Sequence, residues 1–305
     1  MAEPPLDSVT PFVSVILPVY NEQGHLLAEI ERIQAALESS AYSFEIIVVD
    51  DGSTDGSTDQ LRQIPGLRLI QFSQNRGSGS ARKAGTRAAR GSVVVWTDVD
   101  LTYPNEDIPQ LVKELEGFDQ VVGARTSEQG SHKLLRAPAK WFIRRLASYL
   151  MKVPIPDLNS GFRAFRRDVA LQFLPQLPKG FSCVTTMTMS FLAGGYSVKY
   201  IPIEYRPRAG SSKFHWWTDT KLYLTQVVRM VLSYEPLRAF MPIGLMLTGI
   251  GLGKLTYDWS SHNFRITTNT LLILFAAFQV IAIGLLADLV VRVNRRTDEV
   301  DPTSL

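Results

Sequence analysis

Residues 270–287 read TLLILFAAFQVIAIGLLA, 18 positions with no charge and one glutamine. No other stretch limits the fold so tightly. At about 1.5 Å of rise per residue, a helix of this length nearly crosses a hydrocarbon core about 30 Å thick. Residues 289–291 extend it past Asp288. A second apolar run, 239–253 (AFMPIGLMLTGIGLG), is shorter and spans when Lys254 snorkels and residues 255–257 are included. The expectation is two transmembrane helices at about 237–257 and 269–291, within a hairpin at 237–292, followed by a tail at 293–305. The alternative is a pair of buried helices in a soluble core. Arg229 and Arg238 precede the first span, and Arg292, Arg295 and Arg296 follow the second. The hairpin between carries Lys254, Asp258 and Arg265. The positive-inside rule therefore leans towards a multi-pass plasma-membrane protein whose main domain is cytoplasmic. Gly249 and Gly253 form a GxxxG pair that lets helices approach closely and leaves a homo-oligomer open.

Ahead of the hairpin the chain alternates apolar and polar segments. FVSVIL from Phe12, FEIIVV from Phe44, LRLIQF from Leu67, SVVVWT from Ser92 and DQVVGA from Asp119 read as five strands. Leu26, Ile30, Ile33 and Leu37 fall on one face of a helix, and residues 78–90 read as another. Strands alternating with helices imply a mainly parallel sheet covered on both faces. Ligands bind such sheets beyond the carboxyl ends of the strands. Polar motifs stand at four of those ends: Pro18 to Glu22, Asp50 to Asp55, Asn75 to Gly79, and Asp98 to Asp100.

The net charge of +3 is too small to argue for nucleic acid as a partner. The single cysteine, Cys183, excludes an intramolecular disulfide. Neither GxxxxGK[ST] nor a GxGxxG after the first strand occurs, which disfavours P-loop hydrolysis and nucleotide hydride chemistry. The carboxylate pair in VVVWTDVDLTYP offers another way to hold a diphosphate. Residues i and i+2 of an extended chain project to the same side, so Asp98 and Asp100 converge on one hard cation, Mg2+ or Mn2+. Without it the two carboxylates repel.

PVYNE, VVDDGSTD, NRGSGSARKAG, DVD, DLNSGFRAFRRD and RPRAGSSK occur in this order between Pro18 and Lys213. The set resembles family 2 GT-A glycosyltransferases, in the branch similar to dolichol-phosphate mannose synthases and bacterial polyprenyl-phosphate glycosyltransferases. The fold implied is α/β, a Rossmann-like GT-A domain at 12–213 with the two-helix transmembrane hairpin behind it. A flexible N-terminus at 1–11 and a juxtamembrane amphipathic segment at 214–236 complete the organisation. The resemblance implies that Pro18, Tyr20, Glu22, Asp51 and Asp98 bind the nucleotide of a sugar donor. Asp98 and Asp100 hold the metal, and Asp157 joins them as a catalytic carboxylate. Arg125, Arg136, Arg206 or Arg208, Ser212 and Lys213 bind the phosphate of a polyprenyl phosphate acceptor. Some members carry Gln two residues after the second Asp as a further metal ligand; here Thr102 stands there, and water completes the shell.

A sugar hydroxyl acceptor needs a general base, whereas a lipid phosphate arrives ionised. The resemblance implies inverting transfer of a sugar from a nucleotide sugar to a polyprenyl phosphate. Residues 138–152, PAKWFIRRLASYLMK, read as an interfacial helix on anionic lipid, or else as a core helix with a basic face. Two other functions stay open: transfer to a saccharide hydroxyl, and a non-enzymatic membrane-tethered protein that binds sugar nucleotides. UDP-glucose, GDP-mannose and UDP-N-acetylhexosamine are equally compatible donors.

Overall fold

In the computed structural model, residues 10–126, 144–149, 151–180, 182–206, 236–261 and 266–300 are described. The chain divides into two compact units, Met1–Tyr223 and Leu224–Leu305.

In the first unit, the nearly fully buried side chains of β1 (Val13–Val19) alternate between the two faces of the sheet. Val13, Val15, Leu17 and Val19 join one apolar cluster and Ile16 the other, the period of two that a strand imposes. β1 pairs in parallel with β2 (Phe44–Asp50) and β4 (Val93–Trp96), and β2 with β3 (Leu67–Gln71). Helix α1 (Leu26–Glu38) covers the first face with Leu26, Ile30, Ile33 and Leu37. Two short helices, α2 (Ser57–Gln63) and α4 (Ile108–Lys113), add Leu61, Ile108 and Leu111 to that cluster. Helix α3 (Ser78–Ala88) lies on the second face. It lies so close that a Cβ on Gly85 would stand 2.3 Å from Ile16 Cγ2. Pro18 sits inside a central strand yet disrupts nothing, because β4 ends at Trp96 opposite Ile16 and asks for no N–H beyond it.

All five expected strands form, β5 being Gln120–Arg125. Two more complete the sheet: β6 (Arg163–Arg166) and β7 (Val198–Ile203). The order is β3-β2-β1-β4-β6-β5-β7, with β6 antiparallel to both β4 and β5, and β7 parallel to β5. β7 contains Pro202, which an edge strand tolerates. Helices α5 (Arg167–Phe173) and α6 (Cys183–Ala193) pack Val169, Met187 and Phe191 against Trp96 and Phe165 on the second face. Every strand except β6 therefore ends at one rim, and β6 starts there.

The second unit is a hairpin of α7 (Pro236–Ser261) and α8 (Thr268–Val300). Both are long and apolar enough to cross a membrane, over Pro236–Ser261 and Thr268–Val291. Leu245, Met246, Leu272, Phe278 and Leu286 are exposed, which is not how a pair of soluble core helices would place them. The helices meet through glycine: a Cβ on Gly244 would lie 2.4 Å from Ile281 Cγ1, and one on Gly251 2.5 Å from Leu274 Cδ2. Gly249 and Gly253 meet nothing within 4 Å. Asp258 closes the open end, accepting from Thr267 N (3.1 Å), Thr267 Oγ1 (2.7 Å) and Thr270 Oγ1 (2.5 Å) at the start of α8. A carboxylate in an apolar hairpin is thus fully served by hydrogen bonds.

Candidate active site

The loops after β1 and β2 hold each other. Asn21 takes the left-handed conformation (φ 55°) that asparagine tolerates. Its N–H donates to Ser53 Oγ (3.0 Å) and its Oδ1 accepts from Thr54 N (2.8 Å). Glu22 N donates to Ser57 Oγ (3.1 Å) and Gln23 N to Asp55 Oδ2 (3.1 Å). Tyr20 and Glu22 are therefore carried, half-buried, on a loop with little freedom.

The two aspartates of DDGS divide their work. Asp50 is buried and structural, accepting from Thr58 Oγ1 (2.5 Å) and Ser53 N (3.0 Å). Asp51 turns to the loop after β3, where Arg76 N (2.7 Å) and Gly77 N (2.8 Å) each donate to one of its oxygens. Burial raises the Asp51 pKa, against the pull of those two N–H groups. Gly52 (φ 76°) has to be glycine, since a Cβ there would lie 2.7 Å from the Gln74 carbonyl carbon.

The carboxylate pair corrects one expectation. β4 stops at Trp96, and a bend follows at residues 99–101, with Leu101 at φ 64°. The strand pleat does not aim the two aspartates; each is set by its own partners. Asp98 Oδ1 receives Arg82 Nη2 at 2.5 Å. Its carbonyl receives Asn105 Nδ2 (3.1 Å), whose Oδ1 accepts from Thr97 Oγ1 (2.5 Å). Behind Asn105 stands the buried Glu29 of α1, 2.5 Å from Nδ2. Asp100 Oδ1 receives the hydroxyl of Thr102 (2.5 Å), so Thr102 orients the second aspartate.

Gly161, at the approach to β6, faces Asp98. A Cβ there would stand 2.8 Å from Asp98 Oδ2, 3.1 Å from Arg82 Nη2 and 3.3 Å from Tyr103 Oη. Glycine keeps the space beside Oδ2 clear. Among the described residues no three His, Cys, Asp or Glu side chains gather into a metal-binding group. The hard carboxylate of Asp98 beside that cleared space, with Asp100 two residues on, fits Mg2+ or Mn2+ shared with phosphate oxygens.

Arg125 ends β5 and forms a two-pronged pair with Asp157, Nε to Oδ2 at 2.7 Å and Nη2 to Oδ1 at 2.9 Å. Burial alone would raise the Asp157 pKa. The hydrogen bonds and charge of Arg125, with Asn159 N at 2.9 Å, more than offset it and hold the carboxyl below its usual range. Arg125 also stacks over Tyr205, 5.2 Å from the ring centroid. Arg206 N donates to Thr102 O (2.9 Å), and its guanidinium pairs with Glu106.

The fold thus brings Pro18, Tyr20, Glu22, Asp51, Asp98, Asp100, Arg125, Asp157 and Arg206 to one rim. Arg136, Arg208, Ser212 and Lys213 lie outside the described residues, as do 138–143. Sequence reasoning missed Arg82, Arg163, Asn105 and Glu29. Arg82 lies among Gly79, Ala81, Gly85 and Thr86 on the buried face of α3. An arginine flanked at helical spacing by small residues was the available signal.

Comparison with known proteins gives the family. Residues 14–173 match glycosyl transferase family 2, and residues 235–293 match the GtrB C-terminal hairpin. An undecaprenyl-phosphate 4-deoxy-4-formamido-L-arabinose transferase of Aeromonas hydrophila subsp. hydrophila is 31% identical over 300 residues, covering 92% of this chain and 88% of its own. A protein of the same description from Edwardsiella ictaluri is 32% identical over 302 residues, covering 92% and 89%. Glucosyl-3-phosphoglycerate synthase from Mycobacterium tuberculosis, solved with Mn2+, UDP and phosphoglyceric acid, superimposes with a TM-score of 0.57. That match has 22% identity and covers 73% of this chain and 78% of the other, a likeness of fold. With just over half of its length matched from the first strand to α5, and the hairpin matched beyond it, this chain is a glycosyltransferase and belongs to glycosyl transferase family 2.

Proposed function

We propose that the protein transfers a sugar, with inversion, from a nucleotide sugar to a polyprenyl phosphate at a membrane surface. The observation that carries this reading is the state of Asp157. It is locked into Arg125 with its pKa held low, which makes it a poor proton acceptor. A hydroxyl acceptor would need a base there, while a lipid phosphate arrives already ionised. The names of the two full-length relatives support the same acceptor class, and the apolar hairpin supports a lipid substrate.

In this reading the loops after β1 and β2 carry Tyr20, Glu22 and Asp51 to the nucleoside. Asp98 and Asp100 would hold the divalent cation, which supplies charge stabilisation to the departing diphosphate when bound. Arg125, steadied by Asp157 and Tyr205, presents a guanidinium to the acceptor phosphate and holds it in line with the anomeric carbon. The Arg206 guanidinium pairs with Glu106, and either Arg206 or Arg208 serves as the second acceptor arginine, together with Arg136, Ser212 and Lys213. The catalytic domain faces the cytoplasm.

Membranes containing the protein, incubated with labelled sugar nucleotides and undecaprenyl phosphate, test the acceptor. The expected label is chloroform-soluble and released by mild acid. Label found only in polysaccharide would point to a hydroxyl acceptor instead.

A further inference from the structure

Arg82 is 3% exposed and donates to Asp98 Oδ1 at 2.5 Å. It is one of two buried guanidinium groups that lie near each other on this side of the sheet. The other, Arg163, opens β6 and is fully buried. Its hydrogen-bond partners among the described residues are Ser160 O, Val184 O (2.7 Å) and Thr188 Oγ1 (2.9 Å), none of them a carboxylate. Burial, with repulsion from Arg82, pushes the Arg163 pKa down to about 10, still charged at neutral pH. The Arg82 guanidinium thus already sets one positive charge against Asp98 without a metal. A divalent cation added alone brings two further positive charges up to that guanidinium, which repels them. A nucleotide-sugar diphosphate carries two negative charges and offsets those of the cation.

The geometry sharpens the point. Arg82 Nη2 and Asp98 Oδ2 border the same space in front of Gly161. The arginine thus already stands on the side from which a cation would approach Asp98.

We propose that Arg82 is the resident counter-cation of Asp98, so that a divalent cation binds together with the nucleotide diphosphate and not ahead of it. The inference rests on the reading that Asp98 and Asp100 hold a divalent cation. Coupling of this kind is reciprocal: the diphosphate tightens the cation, and the cation tightens the diphosphate.

The test is a titration of Mn2+ into the full-length protein in detergent, with free Mn2+ read from its electron paramagnetic resonance signal, with and without UDP. For the wild type, UDP is expected to tighten Mn2+ binding about tenfold or more. Arg82→Met keeps the apolar stem and removes the charge. It is expected to bind Mn2+ alone about tenfold more tightly than wild type, and to lose most of the enhancement by UDP. Arg82→Lys keeps the charge and should behave like wild type, which separates lost charge from lost fold. Arg82→Met that binds Mn2+ alone no more tightly than wild type, while UDP still enhances binding in the wild type, overturns this inference only. Wild type that holds no Mn2+ even with UDP overturns the metal reading and this inference with it.

Discussion

Asp157 and Arg125 stabilise each other's charge in a setting that would otherwise expel it. Removing one partner of a buried pair leaves the other unpaired, a loss on the order of 3 kcal/mol. Asp157→Asn is therefore expected to lower the unfolding free energy by about that amount. The sign with pH follows from the depressed carboxyl pKa. The stabilisation is complete above the unfolded value of about 4 and is lost as pH falls through the lower folded value. Urea unfolding of the wild type between neutral and strongly acidic pH should show that acid limb, and Asp157→Asn should lack its share of it. Equal acid sensitivity in both proteins would mean that the pair adds nothing to stability. Thr102 teaches a related lesson. As a residue type it reads as a missing metal ligand, yet its hydroxyl sets the rotamer of Asp100. Spacing identifies the aspartates, but only the folded bend shows what aims them.

At the scale of elements, periodicity made most of the fold legible. β1, β2 and β4 are apolar runs, and α1 shows four apolar residues at helical spacing. β6 was hidden because RAFR offers two apolar residues between arginines, and Arg163 is buried through carbonyl partners in other segments. No local pattern encodes that. β7 was hidden by Lys199 and Pro202, which suit an edge. The hairpin was legible as two long apolar helices, but not which of its glycines pack. Gly251 lies against Leu274, whereas Gly249 meets nothing within 4 Å. Gly251→Leu should overpack the hairpin and cost about 1–3 kcal/mol, while Gly249→Leu should be near neutral. Unfolding midpoints in mixed detergent micelles, followed by circular dichroism, compare the two. A larger loss for Gly249→Leu would contradict the helix faces described, or show that Gly249 serves a contact between copies.

For the whole molecule, the sequence motifs fall in chain order on successive strands, and the sheet order turns that list into a single rim. The rim was legible because a mainly parallel sheet gathers carboxyl ends at one edge. The antiparallel β6 adds what a parallel scheme omits, since its first residues arrive at that edge with Gly161 and Arg163. The buried support of the aspartate pair, from Glu29 through Asn105 to the Asp98 carbonyl, joins side chains up to 76 positions apart. Such contacts exist only after folding. The central claim is transfer to a phosphate, aided by a metal at Asp98 and Asp100. Its most direct test incubates the purified protein with a panel of nucleotide sugars and either undecaprenyl phosphate or undecaprenol, followed by mass spectrometry of the lipid. The account predicts a sugar-phosphate lipid from undecaprenyl phosphate when Mn2+ or Mg2+ is present, and none from undecaprenol, with EDTA, or with a folded Asp100→Ala. Glycosylated undecaprenol, or undiminished product from Asp100→Ala, would contradict it.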